Sequence, residues 1–354
     1  MVDILIVSLG STGGLRTADD ELLGSLRRAG ADASIVRAEP PRAARTLMLT
    51  DLLWALAAQR AAVSELRRIE ARALIYSSTT AALLWPRPGA IRFDAPAAGN
   101  RPGRHGLWQR PLEQRRLRQA PLLLPWSDGG LAELEGLGPP TRTTFPPPHF
   151  PAVTLPVPVE PSSSPSLPGS YEQAAPAPER DIAAFAYVAN PAKKGLATIL
   201  SAWASAHRPG ERLVLAGAHE HDLRAAGFAL PAPGVQVLPM LPYAEYRALL
   251  RRTRVVLCAA RREDYGIAQL EALADGCLLV TTPSPGPYVA LPIARSLDPR
   301  LVGEDLGGAL RVALDDPVSD YALRAEAVLA PFRRVQVDRV VATQLLPRLL
   351  KMSR

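Results

Sequence analysis

Residues 262–276 read REDYGIAQLEALADG and lie between two apolar runs, VVLC at 255–258 and CLLVT at 277–281. Short apolar runs of this kind are typical of buried parallel strands, and the residues after the glycine form a helical pattern. Glu263 is therefore predicted in the loop at the carboxyl end of one strand, and Glu271 about one and a half turns into the next helix. In α/β sheets this loop binds ligands, and the helix N-terminus favours a phosphate. The two carboxylates are candidates to accept hydrogen bonds from sugar and ribose hydroxyls.

Two glutamates eight residues apart would also fit an ordinary solvated helix, but the strand, glycine and helix around them favour a ligand site. The run resembles the Glu-x7-Glu signature of retaining, nucleotide-sugar-dependent glycosyltransferases of the GT-B fold (glycosyltransferase family four, or group 1). There a glutamate precedes glycine-aromatic-glycine, apolar residues and Leu-Glu-Ala-Met-Ala. This chain has Tyr265-Gly266 and LEALA at 270–274. The resemblance implies that Glu263 binds donor-sugar hydroxyls and Glu271 the ribose hydroxyls. It also implies backbone amide contacts to the diphosphate from Tyr265, Gly266 and Ile267.

A pair of lysines follows another predicted strand. Residues 185–195 read FAYVANPAKKG, a pattern that predicts a strand, a loop and then a helix over Leu196–Ala206. The resembling family has Gly-Arg, a short loop and Pro-Glu-Lys-Gly at this place, and its Arg and Lys neutralise the donor diphosphate. Lys194 and Gly195 match the end of that pattern. The resemblance therefore implies that Lys194 stabilises the charge on the departing nucleoside diphosphate.

The arginine of the same family pattern has no counterpart, since its place falls at Ala189 or Asn190. The loss of one of two cations predicts either a rearranged diphosphate site or a weakened activity. The sequence does not choose among four basic residues that could substitute: Lys193, Arg261, Arg262 and Arg16.

Four residues of the first half also bear on the site. Gly13 and Gly14 follow the first predicted strand and precede a helix, and glycines there let the backbone approach a phosphate or sugar. In the family such a pair contacts the donor; a tight strand-to-helix turn is the alternative. The family often has a histidine at the end of a first-domain strand, where this chain has Phe93. Asp94 beside it could contact sugar or acceptor hydroxyls, or cap a turn.

The composition is that of a globular protein. The 354 residues suffice for two domains, and 47% are hydrophobic and 21% charged. No apolar run reaches the roughly 18 residues of a membrane span, and the N-terminus has the pattern of a first strand rather than a signal peptide. Cys258 and Cys277 lie beside predicted buried strands, so neither a disulfide framework nor a metal site is predicted. A cytoplasmic location is expected.

The formal net charge is +7, and only three of the 41 basic residues are lysines. Basic clusters at Arg67-Arg68, 110–118 and 251–254 could contact anionic lipid headgroups at the inner face of a membrane. Solvated helix faces in an arginine-rich chain are the alternative. No nucleic-acid-binding module is recognisable, so a nucleic-acid partner is not expected.

Strand and helix patterns alternate throughout, which predicts an α/β protein with parallel sheets. With the resemblance, this implies GT-B architecture, in which two doubly wound, Rossmann-like domains face a cleft. The predicted parts are an N-terminal acceptor-side domain (1–150), a Pro/Ser-rich interdomain linker (151–180), a donor-side domain (181–331) and a C-terminal helix crossing back to the first domain (332–354). Thirteen of the 36 prolines lie between residues 139 and 180. Predicted strands cover 4–8, 33–36, 73–76, 90–93, 122–125, 182–187, 213–216, 235–237, 255–258 and 278–281; predicted helices cover 19–29, 47–69, 108–119, 131–137, 196–206, 305–314, 321–329 and 335–349.

The resemblance implies a retaining glycosyltransferase that moves a hexose from a nucleoside-diphosphate sugar to a hydroxyl acceptor, which could be a glycan, a lipid-linked molecule or a small molecule. Lys194 and Glu263 are the predicted catalytic residues. No Asp-x-Asp motif occurs, so no metal and no cofactor are expected. One alternative is a catalytically weakened GT-B protein that binds nucleotide or acts as a scaffold. Another is a GT-B enzyme of different chemistry, a nucleotide-sugar epimerase or a phosphorylase.

Overall fold

The computed structural model describes residues 2–42, 44, 46–101, 103–136, 150–162 and 179–351. The chain divides into unit 1, residues 1–158 and 332–354, and unit 2, residues 159–331. Each unit contains one five-stranded, fully parallel sheet connected by helices. The predicted fold class of two doubly wound, parallel-sheet domains is therefore confirmed.

The sheet of unit 1 has the strand order β2-β1-β3-β4-β5. Alternate residues of its first strand face opposite sides, so that Leu5 and Val7 lie in one hydrophobic core and Ile4 and Ile6 in another. Its strands are β1 (Val2–Ser8), β2 (Ala33–Arg37), β3 (Ala71–Tyr76), β4 (Ala90–Phe93) and β5 (Leu123–Pro125). Its helices are α1 (Gly13–Arg28), α2 (Leu47–Arg68), α3 (Thr79–Ala82), α4 (Ala97–Asn100), α5 (Gln109–Gln119) and α6 (Asp128–Gly136), with a 3-10 turn at Gly103–Gly106.

The C-terminal residues complete unit 1. Instead of the single helix predicted for 335–349, the chain forms α14 (Arg334–Val340), a π-helical turn (Val341–Leu345) and α15 (Leu346–Lys351), in that order along the sequence. Four buried side chains of this segment join the core that contains Ile4 and Ile6; they are Val337, Val341, Leu345 and Leu349. They recur every four residues, a spacing that drifts around an α-helix, and the wider π turn keeps them on one face.

The predicted linker starts too early. Residues 151–158 belong to unit 1, because this stretch extends the sheet edge: Val153 N–H donates to Leu123 O at 2.9 Å, and Leu155 N–H donates to Pro125 O at 2.8 Å. Val153 and Leu155 are buried. The remaining proline-rich stretches at 137–149 and 163–178 lie outside the described residues.

The sheet of unit 2 has the order β10-β9-β6-β7-β8, so its first strand along the chain lies in the centre. The strands are β6 (Ile182–Tyr187), β7 (Leu213–Ala216), β8 (Val235–Leu238), β9 (Thr253–Cys258) and β10 (Leu278–Thr281). The helices are α7 (Leu196–Ala206), α8 (Glu220–Ala225), α9 (Tyr243–Arg252), α10 (Ile267–Ala274), α11 (Ala290–Leu297), α12 (Leu306–Asp315) and α13 (Tyr321–Val328), with 3-10 turns at Pro299–Leu301 and Ala330–Phe332.

All ten predicted strands are present, with ends that differ by no more than two residues. The helices were predicted less completely. Helix α1 begins at Gly13 rather than at Asp19, so Gly13 and Gly14 form its first turn instead of preceding it. Helices α3, α4, α8, α9 and α11 were not predicted. None of the described helices is long and apolar enough to cross a membrane.

Candidate functional site

The site of unit 2 lies where the strand order of its sheet reverses. Strand β6 pairs with β7 on one side and β9 on the other, and the loops that follow β6 and β9 leave the same edge of the sheet. Ligands of open α/β sheets bind at such a switch point, outside the carboxyl ends of the strands. Lys194 is in the first loop and Glu263 in the second, and Arg261 N–H donates to Lys193 O at 2.9 Å to join the loops.

Lys194 and Glu263 form an ion pair. Lys194 Nζ lies 2.7 Å from Glu263 Oε2, and Gln269 Nε2 donates to the same oxygen at 3.2 Å. Burial acts to lower the pKa of Lys194, but the charge and hydrogen bond of Glu263 outweigh it and the pKa is raised. No described residue hydrogen-bonds Glu263 Oε1. Glu263 can therefore present that oxygen to a ligand hydroxyl while Oε2 is held.

Two glycines permit the close approach of the loops. Gly195 has φ +68°, and a Cβ at this position would lie 1.9 Å from the carbonyl oxygen of Ala259 at the end of β9. Gly266 has φ +92°, and a Cβ there would lie 2.7 Å from Cε2 of the buried Tyr288 ring. Both positions therefore need glycine for the backbone conformation and for space.

The start of α10 offers backbone donors. Gly266 is the N-cap, no side chain caps it, and the first helical N–H groups have no partner within the helix. The Tyr265 ring is buried, and its carbonyl accepts Val289 N–H at 3.1 Å. Tyr265, Gly266 and Ile267, whose amides were expected at a diphosphate, therefore lie at a helix N-terminus, which carries partial positive charge.

Glu271 is in the second turn of α10, with only 7% of its surface exposed. Tyr243 Oη donates to Glu271 Oε1 at 2.7 Å, and Arg247 Nη1 lies 3.8 Å from the same oxygen. Burial raises the pKa of Glu271, and the charge of Arg247 and the tyrosine hydrogen bonds act in the opposite direction. The pKa of Tyr243 is raised to about 12 by burial and by the Glu271 charge.

Tyr243 and Arg247 are site residues that sequence reasoning missed. Both are on α9, for which the sequence analysis predicted no helix and noted only the basic cluster at its end. A signal was present: Tyr243, Tyr246 and Leu250 recur at three- and four-residue spacing after a proline, which is typical of a helix start.

The structure places three of the four candidates for the missing arginine in unit 2. Lys193, Arg261 and Arg262 lie in the same two loops as Lys194 and Glu263. Asp264 occupies the family's glycine position; its Oδ1 accepts from Arg262 Nε at 2.8 Å, and its Oδ2 lies 3.4 Å from Lys193 Nζ. The Lys193 side chain is 42% exposed against 16% for Arg262. Lys193 can therefore move toward a bound anion more readily than Arg262, and Arg261 is exposed as well.

Arg16, the fourth candidate, belongs to unit 1, where its Nη1 donates to Gly10 O at 2.7 Å. Thr12 caps α1, and a Cβ on Gly13 would meet nothing within 4 Å. The strand-to-helix turn alone therefore does not require glycine at position 13. Phe93 is buried in the core, and Asp94 Oδ1 accepts the N–H of Ala95 at 2.8 Å.

Unit 1 also contains a buried charge cluster that sequence reasoning did not foresee. Arg92 and Asp19 are each no more than 1% exposed, and Arg92 Nη1 lies 3.0 Å from Ala18 O and 3.4 Å from Asp19 Oδ1. Ser8 donates to the other oxygen of Asp19. Burial raises the pKa of Asp19, and Arg92 opposes that shift. The cluster ties α1 to the carboxyl ends of β1 and β4.

Within the part of the chain that the structure describes, no three His, Cys, Asp or Glu side chains are grouped to hold a metal ion. The two cysteines are buried and unpaired. Burial raises the pKa of the Cys277 thiol to about 12. Cys277 is therefore a small core residue.

Residues 179–295 match the family described as glycosyl transferases group 1. Among curated proteins none matches the sequence. Three solved structures are similar over nearly the whole length. Sucrose-phosphate synthase from Thermosynechococcus elongatus has a TM-score of 0.73 at 14% identity and covers 99% of this chain and 100% of its own. WaaG, a glycosyltransferase involved in lipopolysaccharide biosynthesis, has 0.63 at 17%, covering 100% and 98%. Anabaena HepE in complex with UDP and glucose has 0.63 at 13%, covering 98% and 99%.

The matched segment begins before β6 and ends within α11, so it contains Lys194, Glu263 and Glu271. The structural similarity extends to both units, and at these identities it concerns the fold. The chain thus has the fold of the GT-B glycosyltransferases and, over residues 179–295, resembles the glycosyl transferases group 1.

Proposed function

We propose that this protein is a glycosyltransferase that moves a hexose from a nucleoside-diphosphate sugar to a hydroxyl acceptor, with retention of configuration and without a metal. The observation that carries the proposal is the grouping of Lys194, Glu263 and Glu271 around the N-terminus of α10, at the switch point of the unit 2 sheet. The HepE structure, which has the same fold, was solved with UDP and glucose.

The charges of the site suit a nucleotide sugar. The helix N-terminus and Lys194 favour a diphosphate. Glu263 Oε1 can accept a hydrogen bond from a sugar hydroxyl, and the buried Glu271 carboxylate can accept from the ribose hydroxyls. Lys193 takes part of the role of the missing arginine. In unit 1, Gly13, Gly14 and Asp94 are the candidates for contacts to donor or acceptor.

The proposed reaction needs no nucleophile from the protein. The acceptor oxygen bonds to C1 of the sugar on the face from which the diphosphate leaves, the bond from C1 to the β-phosphate oxygen breaks, and a β-phosphate oxygen takes the acceptor proton. Negative charge builds on the leaving diphosphate, and Lys194 with the first N–H groups of α10 stabilises it. Glu263 and Glu271 then position the donor rather than act as an acid and a base.

The ion pair suggests a second role for Lys194, which is to connect Glu263 with the diphosphate. Without a donor its charge is balanced by Glu263, so both groups are held ready in the loop at 2.7 Å. A bound diphosphate would share the Lys194 ammonium with Glu263, because an ammonium has three donors. Lys194 would then link the sugar-binding carboxylate to the leaving group.

A nucleotide-binding protein with weakened catalysis is the second candidate function. It is favoured by the same ion pair, because Glu263 already neutralises Lys194. It is also favoured by Asn190, an uncharged residue near the place of the family's arginine, whose side-chain oxygen accepts Lys193 N–H at 3.1 Å. Such a protein would bind nucleoside diphosphates but release none from a nucleotide sugar.

The first test is a binding and turnover series on the full chain. Thermal stabilisation and calorimetry with UDP, GDP and ADP, then with their hexose conjugates, identify the base; binding to the folded state raises Tm by mass action. Release of the nucleoside diphosphate from the matching conjugate, with and without hydroxyl acceptors, measures turnover. Turnover supports the transferase, binding without turnover supports the second candidate, and no binding at all contradicts both.

Variants and a chelator sharpen that series. Glu271→Ala is expected to weaken nucleoside diphosphate binding by about 10-fold, since a charged hydrogen-bond acceptor is lost. Unchanged affinity would remove its ribose role.

EDTA is expected to leave turnover unchanged, and a loss of turnover in EDTA that Mg²⁺ restores would overturn the metal-free mechanism. The anomeric configuration of the first product, read by NMR, decides retention.

Contact with anionic membranes remains part of the proposal. Fewer arginines of the cluster at 110–118 are available for it than the sequence analysis assumed. Arg110 and Arg116 donate to backbone carbonyls, and Arg116 also lies over the Trp85 ring. Arg115 and Arg118 on the same helix are exposed. Co-sedimentation with phosphatidylglycerol vesicles, compared with phosphatidylcholine vesicles, tests it; Arg115→Gln with Arg118→Gln should reduce sedimentation with the anionic vesicles only.

A further inference from the structure

Helix α9 presents an aromatic residue at the edge of the candidate nucleotide site. Tyr243 is the first residue of the helix, and half of its surface (50%) is exposed although its hydroxyl is hydrogen-bonded. The Tyr243 hydroxyl lies 2.7 Å from Glu271 Oε1. A ribose hydroxyl that binds the Glu271 carboxylate must approach the same group, so a bound nucleoside would lie beside the tyrosine.

The tyrosine hydroxyl is held in one orientation. Arg247 Nη1 donates to Tyr243 Oη at 2.9 Å, which leaves the hydroxyl hydrogen to be donated to Glu271. Arg247 is buried and is itself fixed, since its Nε donates to Asp275 Oδ2 at 2.8 Å and its Nη2 to Glu160 O at 2.8 Å. Tyr243 is therefore held by Arg247, and Arg247 by Asp275 and Glu160. This chain of hydrogen bonds fixes the position of the Glu271 carboxylate before any ligand binds.

The Tyr243 ring is only partly covered by its neighbours. The Arg247 guanidinium carbon lies 5.7 Å from the ring centroid, and the Tyr246 ring centroid is 6.2 Å away. In spite of these contacts, half of the surface of Tyr243 is exposed. An exposed aromatic face beside a polar anchor is what nucleobases stack on, because every base has an apolar π-face.

We propose that Tyr243 is a nucleoside-binding residue: its hydroxyl orients Glu271 toward the ribose, and its exposed ring face packs against the nucleobase. The inference rests on the proposed function and deepens it, since it assigns the base contact of the same site. Arg247 and Asp275 act through Tyr243 and Glu271 and are positioning residues.

The experiment compares ligands that share a diphosphate but differ in the nucleoside. Calorimetry on the full chain uses UDP, GDP, ADP and inorganic pyrophosphate, with wild type, Tyr243→Phe, Tyr243→Ala and the control Leu323→Ala, which truncates another exposed apolar side chain of unit 2. Tyr243→Ala is expected to weaken the tightest of the three nucleotides by about 10-fold or more and pyrophosphate not at all. Leu323→Ala should change neither.

Tyr243→Phe keeps the ring and separates the two roles. It is expected to weaken that nucleotide by about 5-fold through the lost hydrogen bond, and to leave the 2′-deoxy form of the nucleotide less affected. Nucleotide affinity equal to wild type in Tyr243→Ala, or an equal loss for pyrophosphate, would overturn the inference while the proposed function stands. Wild-type protein that binds none of the nucleotides would overturn the proposed function itself.

Discussion

Two side chains of the candidate site differ from the residues of the family pattern at the same positions. Asp264 stands in place of a glycine and binds both Arg262 and Lys193. Gln269 stands among apolar residues and donates to Glu263 Oε2 and to the Cys258 sulfur. Each substitution adds a polar contact to the loop that carries Glu263. The candidate site is therefore held by more internal hydrogen bonds than the signature alone indicates.

Lys194 is expected to act on turnover more than on binding. Lys194→Ala should lower kcat by about 100-fold, the loss typical of one group that stabilises transition-state charge, and should change the Kd of the nucleoside diphosphate less. Lys193→Ala is the matched control, since that lysine is more exposed and lies 3.4 Å from its acidic partner, and its effect should be smaller. Wild-type turnover in Lys194→Ala would exclude the leaving-group role.

Glu113 is expected to make unit 1 sensitive to pH. It is 2% exposed, accepts Ala97 N–H at 2.9 Å, and burial raises its pKa from 4.5 to about 7 despite hydrogen bonds from Thr79 and Ala97. Because the folded pKa is the higher one, its contribution to stability is complete below pH 4.5 and is lost as pH rises through 7. That loss amounts to about 3 kcal/mol.

The variant Glu113→Gln mimics the neutral acid and should remove this part of the pH dependence. Urea unfolding between pH 5 and 8 measures it, as the difference between wild type and variant at each pH. The variant should gain stability relative to wild type as pH rises. Parallel curves for the two proteins would show that Glu113 does not titrate in this range.

At the scale of elements, strands were easier to predict than helices. Most strands contain a short apolar run that is buried in a sheet core, as in 255–258, so local composition suffices to locate them. Helix α9 was missed because its residues are mostly exposed or charged, and it is held by contacts to partners far along the chain. Arg247 binds Asp275 and Glu160, which are 28 and 87 positions away. Such pairings leave no local pattern, so the spacing of Tyr243, Tyr246 and Leu250 after a proline was the local signal for this helix.

The same distinction explains the candidate site. Glu263, Glu271 and Lys194 could be named because each follows a strand or starts a helix within a recognisable local pattern. Their mutual arrangement could not: the Lys194–Glu263 pair joins residues 69 positions apart, and the Tyr243–Glu271 pair joins residues 28 apart. The buried Arg92–Asp19 pair could not be predicted for the same reason, because its residues are 73 positions apart. Arg92 stands in an otherwise apolar strand, which gives no sign of its partner.

The loop between β6 and α7 is expected to depend on Gly195 for space as well as for φ. Gly195→Ala should lower the free energy of unfolding of unit 2 by about 3 kcal/mol or more, because it adds left-handed strain and a Cβ against Ala259 O. Gly210→Ala is the matched control: φ is +90°, but nothing lies within 4 Å, so about 1 kcal/mol is expected. Equal losses in urea unfolding would show that the close approach is relaxed easily.

At the scale of the whole molecule, the chain crosses from unit 1 to unit 2 near residue 158 and returns near residue 332. Unit 2 is continuous in sequence, and unit 1 is not. The returning segment contributes core side chains rather than a surface decoration, since Val337, Val341, Leu345 and Leu349 are each at most 3% exposed. The integrity of unit 1 therefore depends on residues far from the rest of it in sequence.

Ending the chain at Pro331 is expected to unfold unit 1 and spare unit 2. Four buried apolar side chains are removed, each worth about 1.5–3 kcal/mol, and their sum is comparable with the whole stability of a typical domain. Calorimetry should show one transition of the full-length protein lost and another kept, and limited proteolysis should leave a fragment that corresponds to unit 2, residues 159–331. Two transitions in the truncated chain would contradict this prediction.

The discontinuity of unit 1 also orders events during synthesis. A ribosome makes every residue of unit 2 before it reaches the segment that fills the last part of the unit 1 core. The nascent sheet of β1 to β5 therefore has part of one face uncovered, beside the part that α1 covers, while unit 2 is translated and can already fold. The domain that is first in the message becomes the last to mature, the reverse of the usual vectorial order.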